Sequence, residues 1–154
     1  MDKIQENLGE AQRIADSVEN ILYTTFQILN SKKLLLRMLE EIRISLGKAI
    51  NGVLQYEYVK GNIRLDIDPK VNMQTFREKC CPKYGINKRE ISQIEEVFNL
   101  AKKHETSPME FVRDKKIIIM SKDLQHESLD LEKTKEFLQL LKDLLQKIKK
   151  KWKN

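Results

Sequence analysis

The chain has 154 residues, 40% hydrophobic and 34% charged, and this balance excludes wholesale disorder and suits one globular domain over residues 1–154. Only 5 Gly and 3 Pro leave few tight turns for a strand-rich fold, and no apolar run approaches the roughly 20 residues of a membrane span. The net charge of +6 permits a polyanionic partner without requiring one.

The N-terminus, from Met1 to Glu6, is polar and lacks the basic-then-apolar order of a signal peptide, so we expect a cytoplasmic protein. Apolar residues then recur every three or four positions from about Ile4 to Leu29, which predicts a long helix. Asn30 and Ser31 interrupt the pattern, and Ser31 is a suitable N-cap for the next element.

The segment from Lys32 to Tyr58 has the same periodicity and predicts a second long helix with one continuous apolar face. Because only two residues separate the helices, we expect an antiparallel hairpin that buries both faces. One continuous rod within an oligomer is the alternative. Ten residues from these and later helices are predicted to be core: Val18, Leu22, Leu35, Leu39, Ile42, Leu46, Ile94, Phe98, Leu138 and Leu141.

Between the second helix and Pro69, polar and apolar residues alternate, which predicts an extended crossing of the bundle. Asn72 is predicted to cap a short helix. The adjacent Cys80 and Cys81 have difficulty forming a disulfide with each other. We therefore expect two thiols with at least one buried, and a redox pair or mixed metal site is the alternative.

Asn87 and Glu90 form a capping-box pattern and predict a third long helix that ends near His104. A stricter version of the same pattern occurs at Ser107, with a proline next and a glutamate at 110, and predicts a further, short helix.

The isoleucine-rich segment 116–120 favours a strand, and we expect it to pair with residues 124–129 as a small hairpin. Asp130 is a candidate N-cap for the last helix, which carries a leucine-rich face. The predicted fold is therefore mainly all-α: an antiparallel bundle of four main helices, two long ones at the N-terminus, with a β-hairpin before the C-terminal helix.

Motifs for catalysis are sparse. The glycines stand singly, so the sequence contains no phosphate-binding loop. His104 and His126 have no partner at ligand spacing and are predicted to be surface residues. We expect no cofactor, no metal and no catalytic residue, and a non-enzymatic protein is favoured over an enzyme.

Two long helices followed by shorter ones resemble the HEPN-type helical bundles, several of which cut RNA. Their nuclease signature is an arginine followed four to six residues later by a histidine, and neither His104 nor His126 has an arginine in that window. The resemblance therefore concerns the shape of the bundle alone.

The stretch His104-Glu105-Thr106-Ser107-Pro108-Met109-Glu110-Phe111-Val112-Arg113-Asp114-Lys115-Lys116-Ile117-Ile118-Ile119 resembles the H-x-x-SP-x-EF-x-R segment of a group of small prokaryotic proteins. The segments 32–36 and 53–58 are similar to theirs as well, so the resemblance covers most of the chain. It implies a shared fold, and it carries no activity with it.

Within this stretch, Glu110 and Arg113 lie three apart on the predicted helical turn, and Lys115 and Lys116 follow. Together they form a candidate site for an anion or a phosphate. The alternative is a capped turn in which Arg113 pairs with Glu110.

The basic C-terminal end, residues 147–154, is the second candidate site. Lys149, Lys150 and Lys151 are suited to contact phosphates while Trp152 stacks on a base. An acidic membrane surface or acidic protein is a further alternative. The purely structural interpretation is a helix end whose lysines are solvated. Trp152 then packs against the rest of the protein, because it lies on the apolar face of the helix.

We hold two hypotheses of function, and the partner is unknown in both. The first is a non-enzymatic binding or protein-interaction module, and one version of it is a homodimer through spare apolar surface such as Ile44, Leu54 or Leu140. The second is an RNA-associated protein that uses the basic C-terminal end and the Arg113–Lys116 region.

Overall fold

The computed structural model describes residues 2–26 and 31–153, and the chain is mainly helical with a small antiparallel sheet. The helices are α1 (Asp2–Asn20, continued by a π-helical turn at Ile21–Thr25), α2 (Lys32–Val59), α3 (Pro69–Thr75, continued by a π-helical turn at Phe76–Cys80), α4 (Cys81–Tyr84), α5 (Lys88–Thr106) and α6 (Leu131–Lys153). The strands are β1 (Met109–Arg113), β2 (Lys116–Met120) and β3 (His126–Leu129).

Helices α1 and α2 pack against each other in antiparallel orientation, as the sequence predicted. The hydroxyl of Ser45 donates to the carbonyl of Ala11 at 2.8 Å, and Nζ of Lys48 lies 2.7 Å from Oε2 of Glu10. Later residues of α2 therefore lie beside earlier residues of α1, which requires the chain to fold back. The alternative of one continuous rod is wrong.

The predicted N-cap of α2 is confirmed. Ser31 has extended backbone angles, and its Oγ accepts a hydrogen bond from the backbone N–H of Leu34 at 3.2 Å. The predicted end of the first helix at Leu29 and the break at Asn30 lie outside the described residues.

One core unites the helices with one face of the sheet. Nine of the ten predicted core residues are buried, and Phe98 is partly buried against them. Ile117, Ile119 and Leu129 are at most 1% exposed and join the same core. Burial of these three side chains fixes the sheet to the helices.

Cys80 and Cys81 are both buried and free, which confirms the expectation of packed thiols. Burial raises the pKa of Cys80 to about 11 and that of Cys81 to about 12. Both thiols therefore stay protonated at neutral pH, and a buried protonated thiol is a poor nucleophile and a poor metal ligand.

The start of α3 corrects the sequence prediction. Its N-cap is Asp68, whose Oδ1 accepts from the N–H of Lys70 at 2.9 Å, and Pro69 occupies the first helical position, where it needs no N–H partner. Asn72, the predicted cap, instead accepts from the N–H of Asp66 at 2.7 Å and so holds the preceding loop.

Two further predicted caps, those of α5 and α6, are confirmed. Asn87 and Glu90 form a reciprocal capping box at the start of α5, with bonds of 2.8 and 3.1 Å. Oδ1 of Asp130 accepts from the N–H of Lys133 at 2.8 Å at the start of α6.

Across residues 2–26 and 31–153, none of the helices combines the length and apolarity that a bilayer crossing requires.

The sheet has three strands in the order β1-β2-β3, where the sequence predicted a two-stranded hairpin. The predicted short helix at Ser107–Glu110 is wrong, because Met109–Arg113 pairs antiparallel with β2 along its whole length. Asp114 and Lys115 form a two-residue turn with φ of 53° and 63°, as type I′ hairpins require. Pairing with an isoleucine-rich neighbour outweighs a local capping pattern.

Candidate functional site

The sheet has a helix-facing side and an outer side, and cross-strand register assigns each residue to one of them. Ile117 and Ile119 face the helices, and their partners Val112 and Glu110 share that side. The alternate positions of β1 and β2 face outward. We call four of them the outer face: Met109, Phe111, Ile118 and Met120.

The outer face is apolar although the described part of the chain leaves it partly open to solvent. Met109 is 57% exposed and Phe111 is 38% exposed, while Ile118 and Met120 are partly buried. On the helix-facing side of β1, Val112 is also 57% exposed. An antiparallel sheet with one solvated side normally carries polar residues there. This surface is therefore a candidate site for binding another molecule.

One end of the sheet is basic. Arg113, Lys115 and Lys116 lie at the β1–β2 turn and are all exposed. Lys115 lines a cleft of about 360 Å³ together with Lys32, at the start of α2. The predicted pairing of Glu110 with Arg113 is wrong, because residues three apart on a strand point to opposite sides of the sheet.

The other end of β1 is held to α5. Nδ1 of His104, in the last turn of α5, contacts Oε2 of Glu110, so His104 is not a surface residue without a partner as predicted. The hydroxyl of Ser107 lies 2.7 Å from the carbonyl of Met109 and also bonds the carbonyl of Met120. The H-x-x-SP-x-E pattern thus closes the open end of the hairpin and fixes its position on α5.

A second cluster of polar side chains surrounds Glu57, which is 2% exposed. Its carboxylate binds Nζ of Lys83, accepts from Nδ2 of Asn62 at 3.1 Å and accepts from the Tyr84 hydroxyl at 3.0 Å. Trp152 completes the cluster, since its Nε1 donates to the Tyr84 hydroxyl at 2.8 Å. These bonds join α2, α4 and α6.

Burial alone would raise the pKa of the Glu57 carboxyl. The hydrogen bonds from Lys83, Asn62 and Tyr84 and the charge of Lys83 outweigh it, so the pKa lies below its ordinary value of 4.5. Burial, with the nearby Glu57 charge, holds the pKa of Tyr84 above its ordinary value. Glu57 is 2% exposed and its carboxylate has three hydrogen-bond partners within the protein, so it is not accessible to a substrate and we assign this cluster to structure.

The basic C-terminal end is anchored by its tryptophan. Trp152 stacks on Tyr56 with ring centroids 4.8 Å apart, and Lys149 bonds the side chain of Gln12. Lys150 and Lys151 are exposed, and neither has a side-chain partner within the described part of the chain. Stacking of Trp152 on a base, as hypothesised, requires the indole to leave Tyr56.

The two basic candidate sites lie far apart. Lys115 lies near Lys32 at the start of α2, whereas Trp152 lies against Tyr56 near the end of that helix. A rise of 1.5 Å per residue separates these ends by about 36 Å. The Arg113–Lys116 region and the C-terminal lysines therefore do not converge on one small anion.

Two of the three residues suggested for an apolar dimer surface are buried. Leu54 is 7% exposed and Leu140 is 3% exposed, because both belong to the core of the monomer, and Ile44 is partly buried.

Among the described residues no cluster of His, Cys, Asp and Glu is suited to hold a metal ion.

Comparison of the chain with protein-family models, with curated proteins and with solved structures gave no match. The functional interpretation therefore rests on the geometry of the sheet alone. Sequence reasoning missed the outer face because it placed Met109 and Phe111 on a helix. The strand signal was weak, because apolar and polar residues alternate only from Met109 to Phe111 and Val112 breaks the pattern.

Proposed function

We propose that this chain is a protein-interaction module that binds a protein partner through the outer face and the adjoining strand β1. The observation that supports the proposal is the apolar character of a sheet side that is partly open to solvent among the described residues. Covering a large apolar side chain completely contributes about 1.5–3 kcal/mol, and four partly exposed ones contribute less each but act together.

The surroundings of the outer face suit a protein partner. Arg113 and Lys116 border it at the hairpin turn, and His126 and Ser128 of β3 border it on the far side. An apolar centre with a polar border is the usual layout of a protein interface. The sheet is also held in place by its buried isoleucines, so little ordering cost accompanies binding.

Association with RNA is the alternative that the basic charge leaves open. The separation of the two basic regions by the length of α2 makes a shared binding site for a short oligonucleotide geometrically unfavourable. The outer face carries a single aromatic ring, that of Phe111. Binding of a single strand stacks successive bases on several aromatic rings, so this surface suits a protein partner better.

Photo-crosslinking in cells tests the proposal. A benzoylphenylalanine replaces Phe111 on the outer face, and a matched control carries it at Leu124, which is 74% exposed in the β2–β3 turn. We expect a discrete protein adduct from position 111 that is absent from position 124 and lost with Ile118→Lys. An RNA adduct, or no adduct specific to position 111, would contradict the proposal.

A further inference from the structure

The two edges of the sheet differ in how they are protected. On β3, Nζ of Lys133 donates to the carbonyl of Ser128 at 3.1 Å, and the strand residues His126, Glu127 and Ser128 are polar. A lysine and polar side chains are ordinary protection for an edge strand. On β1, the strand residues Met109, Phe111 and Val112 are apolar and exposed. Only β1 has the composition of an edge that accepts another strand.

The register identifies which backbone groups of β1 are unpaired. A two-residue turn joins Arg113 to Lys116, so these residues form a hydrogen-bonded pair, and Phe111 with Ile118 forms the next one. The N–H and C=O groups of Glu110 and Val112 therefore point away from β2. By the same reasoning the carbonyl of Ser128 points away from β2, and it accepts the hydrogen bond from Nζ of Lys133. Among the described residues, nothing occupies the outward groups of Glu110 and Val112.

We propose that the partner at this edge is a second copy of the chain, and that β1 of one copy pairs antiparallel with β1 of the other. The two sheets then form one continuous six-stranded sheet with an enlarged apolar outer face. This inference rests on the proposed function and identifies the protein partner as a second copy of the chain. Addition of a strand to an exposed edge is an established mode of recognition.

Symmetry restricts the register. A two-fold axis perpendicular to the sheet preserves its two sides, so a residue can face only residues of its own parity in the partner. Pairing centred on Glu110 would oppose two carboxylates of like charge. Pairing centred on Phe111 places the two phenyl rings across the axis, with each Glu110 opposite the partner's Val112. This register also uses the unpaired backbone groups of β1. The outward N–H and C=O groups belong to Glu110 and Val112, and each of these residues bonds the other in the partner copy.

The charge distribution favours the same arrangement. Antiparallel pairing about Phe111 places the basic turn of one copy beside the Met109 end of the other copy. The two Arg113 residues are then about 14 Å apart along the strands, at 3.4 Å per residue. Each Arg113 lies diagonally beside the partner's Phe111, where a guanidinium interacts favourably with a phenyl ring. The same pairing at β3, centred on Glu127, would oppose two carboxylates.

A pair of proline variants tests edge pairing without disturbing the sheet of one copy. Val112→Pro removes an outward N–H of β1, and Ser128→Pro removes an outward N–H of β3, so neither breaks a bond to β2. Sedimentation equilibrium over a roughly hundredfold range of concentration gives the dimer dissociation constant for each variant. We expect at least a tenfold weakening for Val112→Pro and less than a twofold change for Ser128→Pro.

A cysteine pair tests the register. Opposed side chains in a non-hydrogen-bonded antiparallel pair have Cβ atoms about 4.5 Å apart, which suits a disulfide. We expect Phe111→Cys to give a covalent dimer under mild oxidation, and Val112→Cys to give none because it faces the partner's Glu110. The native Cys80 and Cys81 are buried, so wild-type protein is a clean control.

Three outcomes would overturn the inference: a monomer at every concentration, a dimer that Val112→Pro leaves intact, or equal cross-linking at positions 111 and 112. A monomer that still gives a position 111 adduct with another protein would overturn the self-pairing and leave the proposed function standing. A monomer with no such adduct would overturn both.

Discussion

Trp152 and Tyr56 stack with ring centroids 4.8 Å apart and ring planes 14° from parallel. The indole also donates to the Tyr84 hydroxyl, so the last turn of α6 is held to α2 and to α4. The lysines around Trp152 therefore sit on a docked helix, where the side of α6 opposite the indole faces solvent.

Replacing Trp152 tests this docking. We expect Trp152→Ala to lower the free energy of unfolding by about 3 kcal/mol, because a large aromatic contact is lost and a cavity is left. Trp152→Phe keeps a ring against Tyr56 but loses the N–H donor, and we expect a loss of about 1 kcal/mol. Urea denaturation followed by circular dichroism measures both. Equal stability of Trp152→Ala and wild type would show that the end of α6 is not docked.

The lowered pKa of Glu57 predicts a pH-dependent contribution to stability. Because the folded pKa lies below the ordinary value of 4.5, the unfolded chain takes up the proton first as the pH falls. The stabilisation is therefore complete above pH 4.5 and is lost as the pH falls through the folded pKa. We expect Glu57→Gln to lower the free energy of unfolding by about 2 kcal/mol at pH 7.

The difference between wild type and Glu57→Gln cancels the titration of other carboxyls, so denaturation at pH 7, 5, 4 and 3 isolates the Glu57 contribution. We expect the difference to be constant from pH 7 to 5 and to shrink at lower pH. A difference that grows on acidification would show that the folded pKa is raised.

The contact between His104 and Glu110 predicts a measurable coupling between α5 and β1. A double-mutant cycle with His104→Ala and Glu110→Ala should give a coupling free energy of about 1 kcal/mol, as for a partly buried hydrogen bond. The Lys103–Glu127 pair, at 3.6 Å and with the more exposed carboxylate, is the matched control from α5 to β3. We expect about 0.3 kcal/mol there. Equal coupling free energies for the two pairs would contradict the role of the His104–Glu110 contact in holding β1 to α5.

Leu124 has a left-handed backbone with φ of 66°, which is unusual for a non-glycine residue, and its side chain is 74% exposed. A Cβ at positive φ costs about 1 kcal/mol, so we expect Leu124→Gly to raise the free energy of unfolding by up to that amount. Lys122→Gly in the same turn, where φ is not positive, should be neutral or destabilising. Thermal unfolding of both variants compares them, and destabilisation by Leu124→Gly would contradict the turn geometry.

The alternative of RNA binding is tested through the C-terminal lysines. The interaction-module proposal predicts that the wild-type protein gives no saturable binding of a labelled single-stranded RNA in fluorescence anisotropy at low salt, so that replacing Lys149, Lys150 and Lys151 with Gln changes nothing. Salt-sensitive binding that the triple variant abolishes would favour the nucleic-acid hypothesis instead.

Helix periodicity and caps were readable from the sequence because they are local. Ser31, Asn87 and Asp130 each bond a backbone N–H within three residues, so their roles depend on few distant contacts. The pairing of α1 with α2 followed from two apolar faces and a short connection.

The strand β1 was not readable in this way. Ser107, Pro108 and Glu110 satisfy a helix-capping pattern, and their actual roles depend on residues far along the chain. Ser107 bonds Met120, and the whole of β1 pairs with β2. Where a strand partner supplies a full ladder of hydrogen bonds, tertiary contacts override the local preference.

The Glu57 cluster was hidden for a related reason. Its members lie on α2, the following loop, α4 and α6, and sequence spacing does not bring Lys83 or Trp152 to a carboxylate at position 57. The one usable signal was a glutamate on the apolar side of α2, since a buried carboxylate requires partners.

The most direct test is the amide hydrogen exchange of β1 at low and high protein concentration. Edge pairing predicts that the N–H groups of Glu110 and Val112 exchange quickly in dilute solution and become protected when the protein is concentrated. The N–H of Phe111, which bonds β2 in every state, should stay protected throughout. If Val112 exchanges equally fast at both concentrations while Phe111 remains protected, the outer edge of β1 does not bind a second copy.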